Sequence, residues 1–299
     1  MSQIILREKL ALRHPILIVA LAGWNDAGRS ATIAAQQLIS EWSAVEFAEL
    51  DPDLFYVFSE SRPWVQLTES GERKLSWPGV SFYAHRTKSD DLDVILLVGT
   101  EPALRWQAFC REIVEFAREL GVSMVVTLGA FLAQVSHQDA VSISGWASPR
   151  QLHERLKEVE VSPISYEGPT GMITALSTAF AEAKMPVASL WAALPNYLGP
   201  TPNPKGALAL VRCLDRAFGL GVTCHELVKA SEQFERQVNY AVQRAKLMPG
   251  VALFQAEGES AKPVETNEAS SSTSTVADLP TAEEAIRFAE DLLRQNRKS

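Results

Sequence analysis

The sequence predicts an α/β fold in which a mostly parallel sheet carries helices on both faces. Two observations lead to this prediction. Short apolar runs without polar interruption, such as residues 15–21, are typical of strands buried on both faces. These runs alternate with longer amphipathic stretches of helical period, such as residues 104–120. Because strands that alternate with helices are joined by right-handed crossovers, the pattern favours parallel neighbours within one sheet.

A change of character follows the first strand–helix unit. The run 15–21 is closed by Gly23, and residues 27–42 then have helical periodicity. Between residues 45 and 85, prolines and glycines separate short apolar groups. This stretch predicts a small antiparallel excursion from the parallel sheet, with short strands at residues 55–58, 65–67 and 80–83.

The strand–helix alternation then resumes and continues to about residue 247. Two helix starts carry explicit signals: Asn203 before Pro204 is an N-cap with proline at the first helical position, and Thr223 to Glu226 forms a capping box. We therefore assign residues 1–256 to one α/β domain. Its further predicted strands cover 94–98, 122–128, 141–143 and 187–194, and its further predicted helices cover 104–120, 170–183, 203–218 and 223–247.

The composition changes after Phe254, where Gly, Glu, Ser, Thr and Pro predominate. Such a segment has too little apolar surface to offset its ordering entropy, so residues 257–278 are expected to form a disordered linker. Residues 279–299 regain helical period with Phe288, Leu292 and Leu293 on the apolar side. They predict a short amphipathic C-terminal helix that docks back or contacts a partner.

Composition and charge bound the classes of partner. Hydrophobic residues make up 46% of the chain, enough for a sizeable core, and the net charge of −8 disfavours nucleic acid and acidic membranes. No apolar run is long enough to span a bilayer, and the charged N-terminal stretch does not resemble a secretory signal. A cytoplasmic location is therefore expected. Three widely spaced cysteines predict neither disulfides nor a metal site, and no cofactor is expected.

The loop after the first strand is the first candidate site, since ligands of parallel sheets gather at the carboxyl ends of the strands. Its residues run from Gly23 through Trp24, Asn25 and Asp26 to Gly28 and Arg29-Ser30. This sequence differs at one position from the phosphate-binding P-loop motif, since Arg29 stands where that motif has lysine. Arginine does not replace the P-loop lysine, and Asp26 would set a carboxylate beside the phosphates. The favoured interpretation is a tight turn with Asp26 capping the helix.

Three other polar loops contain candidate residues. Glu101 and Pro102 follow the strand 94–98, and Glu101 is either a general base or a carboxylate at a helix start. The glycines of 166–171 would leave helix amides free for an anion, although such glycines more often only make the turn. The sequence 136–139, which contains His137, resembles a hydrolase fragment but lacks the nucleophile elbow, which favours a polar loop.

Taken in order, these loops and several other short motifs resemble the proteasome assembly chaperone 2 family in its bacterial form. The resemblance extends from about residue 15 to 250. The motifs taken together in this order are more specific to the family than any one motif alone. The matching motifs are Gly23-Trp24-Asn25-Asp26-Ala27-Gly28, Asp51-Pro52 with Phe55, Arg62-Pro63, Trp77-Pro78, Gly99-Thr100-Glu101-Pro102 with Trp106 and Phe109, Leu128-Gly129, Tyr166-Glu167-Gly168-Pro169-Thr170-Gly171, Ser189-Leu190-Trp191, Pro195-Asn196-Tyr197 and Pro202-Asn203-Pro204.

The resemblance implies a fold similar to nucleoside phosphorylases and self-association as a trimer. It also implies a non-catalytic assembly or interaction factor, because relatives in eukaryotes and archaea help to assemble proteasome α-rings; proteasome subunits are thus possible clients. The alternative is a small-molecule enzyme or ligand-binding protein with Asp26 and Glu101 as polar anchors. Candidate ligand or interface residues are Gly23, Trp24, Asn25, Asp26, Gly28, Glu101, Pro102, Trp106, Gly168, Pro169, Thr170, Gly171, Asn196 and Tyr197; none is assigned a catalytic role.

Overall fold

The protein is described by a computed structural model over residues 3–68, 70–87 and 92–246. The strands are β1 (Ile4–Leu6), β2 (Ile16–Ala22), β3 (Val45–Leu50), β4 (Trp64–Leu67), β5 (Arg73–Ser76), β6 (Val80–His85), β7 (Val94–Thr100), β8 (Met124–Ala133), β9 (Ile143–Ser148), β10 (Ser162–Pro163) and β11 (Val187–Pro195). The α-helices are α1 (Ser30–Trp42), α2 (Trp106–Glu119), α3 (Arg150–Glu158), α4 (Met172–Glu182), α5 (Pro204–Phe218) and α6 (His225–Lys246). The expected linker 257–278 and helix 279–299 lie outside the described residues.

One large sheet has the strand order β1-β3-β6-β7-β2-β8-β11-β9-β10 within the described chain. Its central strands β7, β2, β8 and β11 are mutually parallel, as predicted. We call the edge where these four strands end the carboxyl rim. β6 is antiparallel to β7 and pairs Val80 with Gly99, so β6 begins and β3 ends at this rim. The predicted antiparallel excursion is thus confirmed, and β4 and β5 form a separate hairpin projecting from the same rim.

Strand β2 shows why the centre of the sheet is stable. Ile16, Ile18 and Ala20 pack in one core with α1 and α5, while Leu17 and Val19 pack in a second core with α2 and α4 on the opposite face. All five are essentially removed from water. A strand covered on both faces has no polar side to alternate with, which is why its sequence is continuously apolar.

The strand predicted at residues 141–143 is β9, which begins only at Ile143 and extends to Ser148. Two other local predictions are wrong. Residues 55–58 are not a strand. They follow a 3-10 helix, Pro52–Leu54, that begins where the Asp51 carboxylate accepts a hydrogen bond from the Asp53 amide at 3.0 Å. The neighbours Phe55 and Tyr56 are both buried, which the alternation of a half-exposed strand would not allow.

The second error concerns the start of α6, which begins at His225 without the predicted capping box. Thr223 donates its hydroxyl to the Glu41 carboxylate of α1 at 2.8 Å, and its amide donates to the same oxygen at 2.6 Å. A side chain distant in sequence therefore replaces the local cap. The N-cap at Asn203 is confirmed, since its side chain accepts a hydrogen bond from the Gly206 amide at 3.0 Å.

No helix of the part of the chain that the structure describes combines the length and apolar character needed to cross a bilayer. Among the same residues, no three His, Cys, Asp or Glu side chains converge as a metal site would require. The three cysteines are buried and free.

Candidate functional site

The glycine turn after β2 lies against the loop after β7, because the two strands are parallel neighbours. The Trp24 amide donates a hydrogen bond to the Glu101 carboxylate at 3.0 Å. A Cβ atom on Gly23 would lie 2.5 Å from the same carboxylate oxygen, and Gly23 has φ +151°, so only glycine fits here. The predicted convergence of these two loops at one rim is confirmed by this contact.

The Glu101 carboxylate also reaches the first turn of α4. Its second oxygen accepts a hydrogen bond from the Met172 amide at 2.6 Å. The Asn25 side-chain oxygen accepts from the next amide, that of Ile173, at 3.3 Å. A Cβ on Gly171 would lie 2.1 Å from that Asn25 oxygen. The first two amides of α4, which follow the 168–171 turn, are therefore bound by the protein's own Glu101 and Asn25, which occupy the place considered for an external anion.

Asp26 caps α1, as the favoured interpretation predicted, although it stands outside the N-cap position. One carboxylate oxygen accepts from the Ala31 amide at 2.7 Å and the other from the Thr32 hydroxyl at 2.6 Å. Burial raises the pKa of Asp26 above its ordinary value, and these hydrogen bonds oppose the rise. The amides that would cradle a phosphate in a P-loop are thus directed at Asp26, and Arg29 itself adopts a left-handed backbone.

Two further contacts fasten neighbouring loops to the rim. The Gly28 carbonyl accepts a hydrogen bond from the Asn203 amide at 2.7 Å, which ties the first turn to the start of α5. The Pro102 carbonyl accepts from the Trp106 indole at 2.8 Å, which closes the loop that leads into α2. The first contact joins two motifs that are far apart in the sequence, and the second lies within one motif.

The remaining candidates are distributed along the same edge. The Pro169 carbonyl accepts a hydrogen bond from the exposed Tyr166 hydroxyl at 2.9 Å, next to Gly168. Thr170 and Trp106 line an open cleft between α2 and α4. Asn196 and Tyr197 begin the 3-10 helix that follows β11.

A partly buried polar cluster around His137 was not predicted. The imidazole Nδ1 lies 2.6 Å from the Tyr197 hydroxyl, and Nε2 lies 3.0 Å from the Asn239 side-chain oxygen. Both ring nitrogens of the buried imidazole therefore have a hydrogen-bond partner. Lys205 donates to the His137 carbonyl at 2.6 Å and forms an ion pair with Glu235 at 3.3 Å.

This cluster borders a small cavity of about 160 Å³, lined by residues of the 135–142 loop, β11, α5 and α6. The interpretation of residues 136–139 as a polar loop is confirmed, since His137 lies in a turn between β8 and β9. The nearly complete burial of His137 was not predicted. Its partner Asn239 lies 102 positions away, and no local pattern links the two. The sequence names Tyr197 as a candidate through its Pro195-Asn196-Tyr197 motif, and that motif does not predict a contact with His137.

Exposed apolar side chains are concentrated at the carboxyl rim. Trp24 is 64% exposed although its amide is fixed by Glu101. Most of the large hydrophobic side chains that are exposed in the described residues lie at this rim or in the hairpin that projects from it: Trp24, Trp64, Val65, Leu67, Leu75, Trp77, Leu104, Phe131, Leu132, Tyr166 and Tyr197.

Chemically, the rim holds backbone amides and carboxylates in satisfied pairs. Asp26 and Glu101 both accept hydrogen bonds at helix starts, where a negative charge is stabilised by the helix dipole. These features define an α/β protein whose parallel-strand loops are held together at one rim by its own side chains, with an apolar surface beyond them.

Residues 20–242 match the family model of the PAC2 family. The chain therefore belongs to the PAC2 family, as the ordered motifs indicated. No curated protein matches it.

Solved structures agree with this assignment. A PAC2 family protein from Streptomyces avermitilis is 37% identical, with 76% of this chain and 95% of that one covered and a TM-score of 0.71. A proteasome-assembly chaperone homologue from Mycobacterium tuberculosis is 32% identical over 76% of this chain and 95% of its own, with a TM-score of 0.69. The archaeal proteasome activator PbaB from Pyrococcus furiosus, 21% identical over 81% of this chain and 98% of its own, shares the fold with a TM-score of 0.65.

Proposed function

We propose that this chain is a non-catalytic assembly factor of the proteasome-assembly-chaperone type, which forms homo-oligomers in the cytoplasm and binds a protein client through its carboxyl rim. The family and the relatives named above support a chaperone-like role. The name of the Mycobacterium tuberculosis relative indicates the proteasome, and we take its α-subunits as the client, as the family resemblance implies.

The observation that carries the proposal is the apolar surface of the rim. Interfaces between proteins are enriched in exposed aromatic side chains, and a single tryptophan often supplies a large share of the binding energy. Trp24 has such a position: its backbone is fixed by the Glu101 contact, so its exposed indole loses little freedom on binding. The net charge of −8 is consistent with a protein client rather than nucleic acid.

The alternative, an enzyme or ligand-binding protein anchored by Asp26 and Glu101, has less support. A general base must be free to take a proton from a substrate. Both carboxylates instead accept hydrogen bonds from amides and, for Asp26, from the Thr32 hydroxyl. Replacing these bonds by a substrate would release the starts of α1 and α4.

The proposal is tested by binding of purified proteasome α-subunits from the same organism to the immobilised chain. Trp24→Asp should weaken capture at least about tenfold, since it removes a large aromatic contact and adds a charge to the interface. Val45→Asp is the matched control, because Val45 is similarly exposed but lies at the opposite end of the sheet, where β3 begins. Failure of the wild-type chain to bind, or equal binding by all three proteins, would refute the client interface.

Self-association is measured separately. Light scattering on the purified chain should give a multiple of its 32.8 kDa mass without any client present. A monomer at all accessible concentrations would remove the homo-oligomer from the proposal and leave the client measurement to stand by itself.

A further inference from the structure

The β4–β5 hairpin has one aliphatic face that its own chain does not cover. Val65 lies opposite Leu75, and two residues later Leu67 lies opposite Arg73, so three aliphatic side chains share this face with one basic side chain. Val65, Leu75 and Leu67 are 58%, 48% and 73% exposed. The other face carries Trp64 opposite Ser76 and Gln66 opposite Lys74.

Such alternation is typical of a sheet that has one face buried and one in water. A two-stranded hairpin by itself is marginally stable in water, because it buries too little surface. This hairpin is held at its base, where Trp77 packs on Phe58 with ring centroids 4.8 Å apart. All eight strand residues nevertheless remain exposed within the described chain. The aliphatic face is therefore suited to being covered by another molecule.

The charge of the hairpin indicates which molecule. Residues 61–77 contain three basic side chains and two acidic ones, a net charge of +1, and Arg73 lies on the aliphatic face itself. The other residues of 1–246 contain 20 basic and 25 acidic side chains, a net charge of −5. The body of a second copy thus offers a negative surface to a weakly positive hairpin, whereas two hairpins would meet with like charges. The charges therefore favour a contact between two copies in which the hairpin of one copy meets a different surface of the other.

We propose that the Val65/Leu67/Leu75 face of one copy packs on the body of a second copy, which makes a head-to-tail contact that repeats until a ring closes. This inference rests on the homo-oligomer of the proposed function. Together with Trp77, the three side chains offer apolar area on the order of 400 Å², about half of the roughly 800 Å² that each partner contributes to a standard interface. The surface of the hairpin base and its polar neighbours would supply the remainder.

The test compares two glutamates on one strand. Leu67→Glu and Gln66→Glu change the charge of the hairpin equally but lie on opposite faces. Leu75→Glu, on the partner strand, places a carboxylate opposite Val65, where no cation lies directly across from it. Sedimentation velocity over a concentration series should show that Leu75→Glu raises the dissociation constant at least about a hundredfold, because a charge is buried without a partner. Leu67→Glu lies opposite Arg73 and should raise the constant by a smaller factor, still at least about tenfold. Gln66→Glu should keep nearly the wild-type mass, and circular dichroism should show unchanged folding for all three.

The outcomes separate the two proposals. An oligomeric wild type with Leu67→Glu and Leu75→Glu still assembled would overturn the hairpin contact and leave the homo-oligomer intact. Equal dissociation by Gln66→Glu would also overturn it, since charge rather than the aliphatic face would then be responsible. A monomeric wild type would overturn both the hairpin contact and the homo-oligomer. Capture of α-subunits, which depends on Trp24, is read independently in each case.

Discussion

Glu101 holds three segments of the carboxyl rim together, and its removal should destabilise the whole domain. Its carboxylate accepts from the Trp24 amide at 3.0 Å and from the Met172 amide at 2.6 Å. In Glu101→Ala both amides lose their acceptor. The exposed Trp24 amide can turn to water, but the Met172 amide is partly buried at the start of α4.

The magnitude follows from these two environments. Loss of a charged acceptor for a partly buried amide costs about 1.5–3 kcal/mol, and loss of a helix cap costs about 1 kcal/mol in typical cases. Both costs refer to the same Met172 amide, so they are not simply added. We expect Glu101→Ala to lower the free energy of unfolding by about 2–3 kcal/mol. Glu101→Gln keeps one carbonyl oxygen but directs an amide group at the second donor, so it should lose about half as much.

The assay is equilibrium unfolding in urea, with Glu119→Ala as the control. Glu119 lies exposed in the last turn of α2, and surface substitutions of this kind usually change stability by less than about 0.5 kcal/mol. The Glu101→Ala midpoint should fall by about 1 M with an unchanged slope, and exchange of the Met172 amide should accelerate. If Glu101→Ala unfolded at the same urea concentration as Glu119→Ala, our description of the rim as a capped junction would be wrong.

Two other carboxylates give independent tests. Burial by itself raises the pKa of Asp93, but hydrogen bonds from Arg13 and Thr87 lower it by more, so the pKa of Asp93 lies below its ordinary value. The stabilisation by the Asp93 carboxylate is therefore present above pH about 4 and is lost as the pH falls. At pH 7 Asp93→Asn should lower the free energy of unfolding by roughly 2 kcal/mol, and urea titrations below pH 4 should show a smaller difference. A difference that does not change with pH would contradict this. Hydrogen bonds from Thr223 and the following amide lower the pKa of Glu41, against the effect of burial. We expect this contact to stabilise the start of α6. Glu41→Gln should speed hydrogen exchange at the start of α6 several-fold, and unchanged protection there would show that Glu41 does not fix that end.

The sequence predicted the parallel centre of the sheet well because its signals are local. β2 is apolar at every position, and the Asn203-Pro204 pair both starts and caps α5 within four residues. One of its errors occurs where a local pattern was replaced by a distant contact. Thr223 has the pattern of a capping box, yet Glu41 of α1 takes its hydroxyl.

The candidate site was predictable only as a set of loops. That Trp24 and Glu101 would lie near each other followed from the rule that parallel strands present their carboxyl ends together. That one carboxylate would join the amides of Trp24 and Met172, 148 residues apart in chain position, did not follow from any rule of spacing. The His137 cluster is similar, since its atoms come from a loop, the end of β11 and α6.

The sequence by itself thus determined the layers of the fold, the family and the rim on which the glycine-containing loops of this chain meet, because hydrophobic period and turn chemistry act over a few neighbouring residues. Tertiary structure alone decided which acceptor each amide finds and which apolar side chains stay in water. Both depend on the order of strands in the sheet, which places Glu101 beside Gly23 and leaves the Leu67 face of the hairpin uncovered.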